Sequence, residues 1–318
     1  EPQDPGDRKR AGAWAAILAA MAMHANEGTV STTAVERLVA AQFPDWSGLD
    51  VQRSDSEGTR SAIFRLGTEL AARFPLKRAE HDDVRAALEA EVRATREIGD
   101  HVSFPTPRPV ALGEPGEDYP LPWAVQTWLP GVTATRDDPS DSVGFAEDLA
   151  QLIGELRAID RRGRVFTGIG RGGHIPDHDD WMGTCFDESV ELLDVPMLRA
   201  MWSRFRELPA HAGEVMCHGD LTPANVLVSD GRLAGVLDSG GLGAADPSLD
   251  LIPAWNLLDD APRERFRSLL GCGDLEWERG RAWAFQQSMG LVWYYVESNP
   301  AMSRMGRRTL ERLVRAAA

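Results

Sequence analysis

The stretch Cys217-His218-Gly219-Asp220-Leu221-Thr222-Pro223-Ala224-Asn225-Val226-Leu227-Val228, followed by Leu237-Asp238-Ser239-Gly240, decides how this chain is read. Asn225 to Ser229 and Leu233 to Asp238 are short β segments. Asp230-Gly231 stands between them as a hairpin turn. Asp220, on the loop before the first segment, can align a hydroxyl or take its proton. Asn225, five residues on, offers a neutral oxygen to Mg²⁺. Asp238, on the return strand, faces the same space and adds a charged oxygen. Together these make the base and metal side of a phosphoryl-transfer site. Each residue alone would suit a cap, a turn or a strand end, and it is the joint spacing across a hairpin that points to chemistry.

The series His218, Gly219, Asp220, Asn225, then Asp238 and Gly240, then Asp246, Pro247 and Asp250 resembles the aminoglycoside phosphotransferase family of kinase-fold enzymes. The resemblance covers about residues 30 to 315 and is strongest from 215 to 260. It implies an α+β, bilobal, protein-kinase-like fold, with a small N-terminal β-sheet lobe and a larger, mainly helical C-terminal lobe. It also implies that Asp220 is the catalytic base or hydroxyl-orienting residue, and that Asn225 and Asp238 are Mg²⁺ ligands. Asp246 and Asp250 are expected to hold loop architecture. Many relatives read D-F-G-D where this chain has Asp238-Ser239-Gly240-Gly241, so a packing phenylalanine is missing.

A kinase-like site also needs a turn over the phosphates, a cation on a neighbouring strand and an acid to hold that cation. The turn candidate is Ser56-Glu57-Gly58-Thr59-Arg60-Ser61, with Ser56, Gly58 and Thr59 as nucleotide-binding residues. The usual strand lysine is absent. Strand alternation in Leu70-Ala71-Ala72-Arg73-Phe74-Pro75 turns Arg73 away from Leu70, Ala72 and Phe74, toward the cleft. A branch of the resembling family carries arginine there, and arginine binds phosphate bidentately. Lys77, beyond Pro75, is the alternative, and Glu91 on the following helix is the expected partner acid. Gln126 to Gly131 resembles the hinge between lobes, where the backbone of Thr127 and Leu129 would read a purine base. ATP and GTP are therefore both open as donors. On the C-terminal helices Trp255, Tyr295 and Glu297 are the candidates for an acceptor wall, although core packing explains most of these aromatics equally well. His174 to Asp180 is rich in His and Asp but matches no standard metal spacing, and reads as a solvated or acceptor-facing acidic loop.

The rest of the chain is consistent with this reading. Thr32 to Phe43 has helical spacing, with Thr32 or Thr33 as the cap. Val51 to Phe74 reads as short strands and Asp82 to Asp100 as an amphipathic helix. Trp123 to Leu129 is a buried strand. Beyond residue 140, Val143 to Arg162, Trp181 to Arg206 and most of Leu251 to Ala316 are helical. The organisation expected is an extension over 1–25, a nucleotide-binding lobe over 26–130 and a catalytic and acceptor-binding lobe over 131–318. Arg8-Lys9-Arg10 before the apolar Ala11 to Met23 mimics a signal peptide. A plain N-terminal extension, with Met21 or Met23 as the natural start, is the reading preferred here.

The 318 residues carry 34 Lys plus Arg against 49 Asp plus Glu, a net charge of −15. That excess excludes a general nucleic-acid binder and is compatible with a cationic small-molecule acceptor. No apolar run is long enough to span a membrane. Three widely spaced cysteines, with no CxxC, exclude a disulfide framework and fit a reducing, cytoplasmic setting. The function expected is an ATP- or GTP-dependent O-phosphotransferase acting on a hydroxyl of a small natural product. An antibiotic, aminoglycoside or macrolide, is the leading acceptor. A small-metabolite kinase of the same fold and a non-catalytic nucleotide- or drug-binding pseudokinase are the alternatives. The sequence leaves the oligomeric state open.

Overall fold

A computed structural model describes residues 30–54, 61–76, 79–116, 118–168, 170–211 and 213–316. The chain divides into two compact units. The first comprises Glu1–Gly131 together with Ala234–Gly240, and the second Val132–Leu233 together with Gly241–Ala318.

The first unit opens with α1 (Thr32–Gln42), capped by Ser31, whose hydroxyl accepts the Ala34 N–H at 3.2 Å. The helix starts one residue earlier than the threonine caps imply. Strands β1 (Val51–Arg53), β2 (Ser61–Leu66), β3 (Leu70–Pro75), β4 (Pro109–Gly113) and β5 (Trp123–Thr127) form one sheet in the order β1-β2-β3-β5-β4. Every pairing in it is antiparallel. Helix α2 (His81–His101) is the long helix of this unit. Alternation along β2 and β3 buries Phe64, Leu66, Ala72 and Phe74 on one face. They pack with Trp123, with Val35, Leu38 and Val39 of α1, and with Val84 and Leu88 of α2. The Phe74 and Trp123 rings stack at 4.9 Å. Arg73 lies at the sheet centre, registered with Ile63 on one side and Ala124 on the other.

The second unit is mainly helical. It holds α3 (Val143–Ala158), α4 (Asp179–Glu188), α5 (Val195–Phe205), α6 (Pro253–Asn256), α7 (Asp260–Leu270), α8 (Asp274–Tyr294) and α9 (Pro300–Arg315). The helix expected over Trp181 to Arg206 is two helices, because Asp194 caps a new start and Pro196 sits in its first turn. Helix α8 is buried along most of its length, through Trp277, Trp283, Phe285, Met289 and Val292.

The site-bearing strands are short. β6 (Val132–Thr133) pairs with β8 (Val226–Ser229), and β7 (Val215–Cys217) pairs with β10 (Gly243–Ala245). Strand β9 (Arg232–Val236) returns from β8 through Asp230 and Gly231, both at positive φ (52° and 68°) as a tight hairpin turn requires. Arg232 Nε reaches Asp148 Oδ2 of α3 at 2.7 Å, which ties the hairpin start to the helix. Beyond Leu233 the chain passes into the first unit, where the Val236 N–H donates to the Pro105 carbonyl at 2.9 Å.

Candidate active site

In the second unit β7 ends at Cys217 and delivers the loop His218 to Asn225. Asp250, 1 % exposed, holds that loop from beneath. Its Oδ2 accepts the His218 N–H at 2.7 Å and its Oδ1 the Gly219 N–H at 2.9 Å. Burial pushes the Asp250 carboxyl above the usual range, opposed by the His218 ring and by these two N–H donors. Asp246 is tied down in turn. It caps Ser248, with N–H to Oδ1 at 2.9 Å, and accepts Arg279 Nε at 2.7 Å in a buried ion pair. Both acids therefore maintain backbone shape. Burial also pushes the Cys217 thiol up, so this cysteine is no nucleophile.

Asp220 is the exposed acid of the loop, with 44 % of its side chain open. The amide nitrogen of Asn225 donates to the Asp220 carbonyl at 2.9 Å and to its Oδ2 at 3.0 Å. With the amide nitrogen so used, the group Asn225 offers a cation is its Oδ1. The structure adds Arg171, whose Nη2 lies 3.3 Å from Asp220 Oδ1. Sequence reasoning passed over this residue inside a glycine-rich loop. The one available signal was an arginine bracketed by glycines in Gly170-Arg171-Gly172-Gly173.

The first unit assembles a second set. Arg73 forms an ion pair with Glu91 of α2, and its Nη2 lies 3.8 Å from Asp238 Oδ1. Burial pulls the Arg73 guanidinium down and the Asp238 charge opposes that pull. Asp238 takes a left-handed φ of 55°. A Cβ on the nearby Gly240 would sit 3.3 Å from Glu91 Cγ, so the bare glycine lets the acid approach. Asp238, in the first unit, carries a charged oxygen, the kind of donor that suits a hard divalent cation. Asn225 Oδ1, in the second unit, is a neutral donor. Among the described residues no three His, Cys, Asp or Glu side chains group into a self-sufficient metal site.

The other sequence candidates fare unevenly. Ser56, Gly58 and Thr59, with Lys77, lie outside the described residues. Thr127 ends β5, and its N–H already donates to the Arg108 carbonyl at 2.9 Å. Leu129 follows in non-regular, half-buried chain. Trp255 is 2 % exposed, with the guanidiniums of Arg263 (4.5 Å) and Arg281 (5.4 Å) over its ring. Packing accounts for it, and it leaves no face for an acceptor. Tyr295 sits at the C-terminal end of α8, half-buried, its ring edge-on to Tyr294 at 4.8 Å. Glu297 is exposed just beyond. In the His- and Asp-rich segment, Asp179 is bound to Arg206 and to Trp202 Nε1. His178 is buried against Trp283. That part of the segment is structural.

A small antiparallel sheet with a paired basic side chain, joined to a helical unit with an Asp–Asn loop, has the fold of kinase-like phosphotransferases. The chain belongs to the phosphotransferase enzyme family (APH), whose model it matches over residues 51–283. It is 31% identical over 173 residues to an aminoglycoside 3'-phosphotransferase of Streptomyces fradiae, which covers 49% of this chain and 59% of that protein. It is 27% identical over 151 residues to the aminoglycoside 3'-phosphotransferase of Salmonella typhimurium, covering 43% of this chain and 53% of that one. The chain thus spans a little over half the length of these curated relatives. Among solved structures, the GDP and kanamycin complex of APH(2")-IIia superposes with a TM-score of 0.68 at 18% identity, over 89% of this chain and 98% of that one. The macrolide 2'-phosphotransferase MphH of Brachybacterium faecium gives 0.59 at 18% identity, over 87% and 97%. These two likenesses concern the fold.

Proposed function

We propose that this protein is an O-phosphotransferase that moves the γ-phosphoryl group of ATP or GTP to a hydroxyl of a small natural product. The acceptor class favoured is an antibiotic, aminoglycoside or macrolide, which would make the activity one of resistance. The observation that carries the reading is the Asp220–Asn225 contact inside a loop clamped by buried Asp250. A carboxylate fixed so firmly, yet with 44 % of its side chain open, is suited to meet a hydroxyl.

In the step itself the acceptor oxygen bonds to the γ-phosphorus while the bond to the bridging oxygen breaks. The nucleoside diphosphate leaves, and the hydroxyl proton passes to the Asp220 carboxylate. Asp220 orients the hydroxyl. Arg73, held by Glu91, is assigned to the nucleotide phosphates, where a planar fork replaces the point charge of lysine. Asn225 Oδ1 and the Asp238 carboxylate would hold Mg²⁺, which when bound supplies charge neutralisation on the phosphates. Donor complexes of the relatives support a nucleotide, since one solved relative is a GDP complex and another a streptomycin–ATP ternary complex. Kanamycin and gentamicin complexes of relatives support a small-molecule acceptor. Among the described residues no helix is long and apolar enough to cross a membrane. A cytoplasmic setting goes with the reading, because nucleoside triphosphates are available there and the three cysteines are free thiols.

The test is turnover with ATP or GTP against a panel of aminoglycosides, macrolides and amino alcohols, with mass detection of the phosphorylated product. Asp220→Ala should lower kcat by about 100-fold or more while nucleotide still binds. An Asp220→Ala protein that turns over like the wild type would overturn the assignment. Nucleotide binding with no product from any acceptor would favour the pseudokinase.

A further inference from the structure

Arg171 makes a contact to the reacting acid that the functional reading above does not use. Its Nη2 lies 3.3 Å from Asp220 Oδ1, while Asn225 Nδ2 donates to Oδ2 at 3.0 Å. The two carboxylate oxygens are thus held by donors on different chain segments, which stops rotation of the group. A carboxylate has about four lone-pair sites, so two held ones leave room for an incoming hydroxyl. A guanidinium carries donors only, so Arg171 can hold the acid without competing for a proton.

The loop that carries Arg171 is pinned on several sides. The Gly172 carbonyl accepts the Asp246 N–H at 2.9 Å, and the Gly173 carbonyl accepts Arg279 Nη2 at 3.3 Å. The His178 ring hydrogen-bonds to the Gly170 backbone. Gly172 has φ +102°, and a Cβ there would fall 2.8 Å from Ala245 Cβ and 2.9 Å from Leu249 Cδ2, so only glycine fits this close approach. The Asp246–Arg279 pair thereby braces the arginine loop, while Asp250 holds the catalytic loop. Arg171 itself is 27 % exposed, unlike a fully solvated surface charge.

We propose that Arg171 is a positioning residue for the reaction. It holds Asp220 in the one orientation that meets the acceptor hydroxyl, and it is set there by a loop built onto the Asp246–Arg279 pair. The inference rests on the O-phosphotransferase reading. Misplacing a reacting group by about 1 Å can cost on the order of 100-fold in rate, which sets the scale of the effect.

The test uses the full chain, a product-formation assay and the best acceptor from the panel. Arg171→Ala should lower kcat by roughly 30- to 100-fold with the nucleotide KM within about twofold of wild type. The melting temperature should change little, since a partly exposed pair contributes little stability. Arg171→Lys, which can still donate to one oxygen, should recover part of the loss. In an Asp220→Asn background, Arg171→Ala should have no further effect, because its target charge is gone. Unchanged kcat in Arg171→Ala overturns the proposal. So does a loss that only tracks a fall in melting temperature, or one that Arg171→Lys does not relieve, or one that persists undiminished in the Asp220→Asn background. A wild-type protein with no turnover on any acceptor overturns the functional reading, and this inference with it. A wild type that turns over while Arg171→Ala matches it overturns this inference alone.

Discussion

His178 gives the fold a measurable sensitivity to acid. The ring is buried, with Trp283 edge-on at 5.1 Å and the Gln286 amide nitrogen 3.2 Å from Nδ1. Burial and the nearby Arg171 charge lower its pKa to about 4, against the opposing pull of Asp177, the Gly170 backbone and Asp179. An unfolded histidine titrates near 6.5. Between these values the unfolded chain binds a proton that the folded chain refuses. Stability is therefore fully present above about 6.5 and is lost as pH falls toward 4, at about 1.4 kcal/mol per pH unit. From about pH 8 to about pH 5 this group alone should remove ~2 kcal/mol. Other carboxylates titrate in the same range, so the comparison is with His178→Gln, which cannot take the proton. Urea unfolding of both proteins across that range isolates the difference. The wild type should lose ~2 kcal/mol more than the variant. Equal pH dependence to within ~0.5 kcal/mol would refute the argument that the ring is held neutral by its surroundings.

Two further outcomes follow from the ion pairs. Arg279→Ala strands a buried Asp246 carboxylate and removes donors from the Pro209 and Gly173 carbonyls, so unfolding free energy should fall by about 3–5 kcal/mol. A loss below ~1 kcal/mol in denaturant titration would contradict a buried, structural pair. Arg73→Ala should weaken nucleotide binding by about 10- to 100-fold, the scale of one lost charge-assisted hydrogen bond, read by titration with a non-hydrolysable ATP analogue. Unaltered affinity would remove Arg73 from the nucleotide site.

The parts of the fold carried by long periodic segments were readable from the residues. The amphipathic helix over Asp82 to Asp100 and the apolar stripe from Val143 appear close to their expected bounds. Strands β7 and β10 did not announce themselves, because three residues such as Gly243–Ala245 carry no period, and long-range pairing with Cys217 makes them strands. The break between α4 and α5 was hidden within a continuous apolar stripe, although Asp194 and Pro196 are its local signal. At the site, side chains with a motif were legible and those without were not. Asp220 and Asn225 follow from spacing. Arg171 is placed by tertiary packing of a glycine loop, which no local pattern encodes. Trp255 shows the converse: an aromatic expected at an acceptor wall is absorbed by the core, here beneath two arginines.

The segment Ala234–Gly240 belongs with the N-terminal unit although it follows more than a hundred residues of the other one. It brings Asp238 to Arg73 and sets Gly240 against Glu91. During vectorial synthesis the small unit must therefore wait for residue 240 to leave the ribosome before its charge cluster is whole. A fragment cut after Gly131 would keep Arg73 and Glu91 but lack Asp238. No single cut of the chain therefore separates the two units whole.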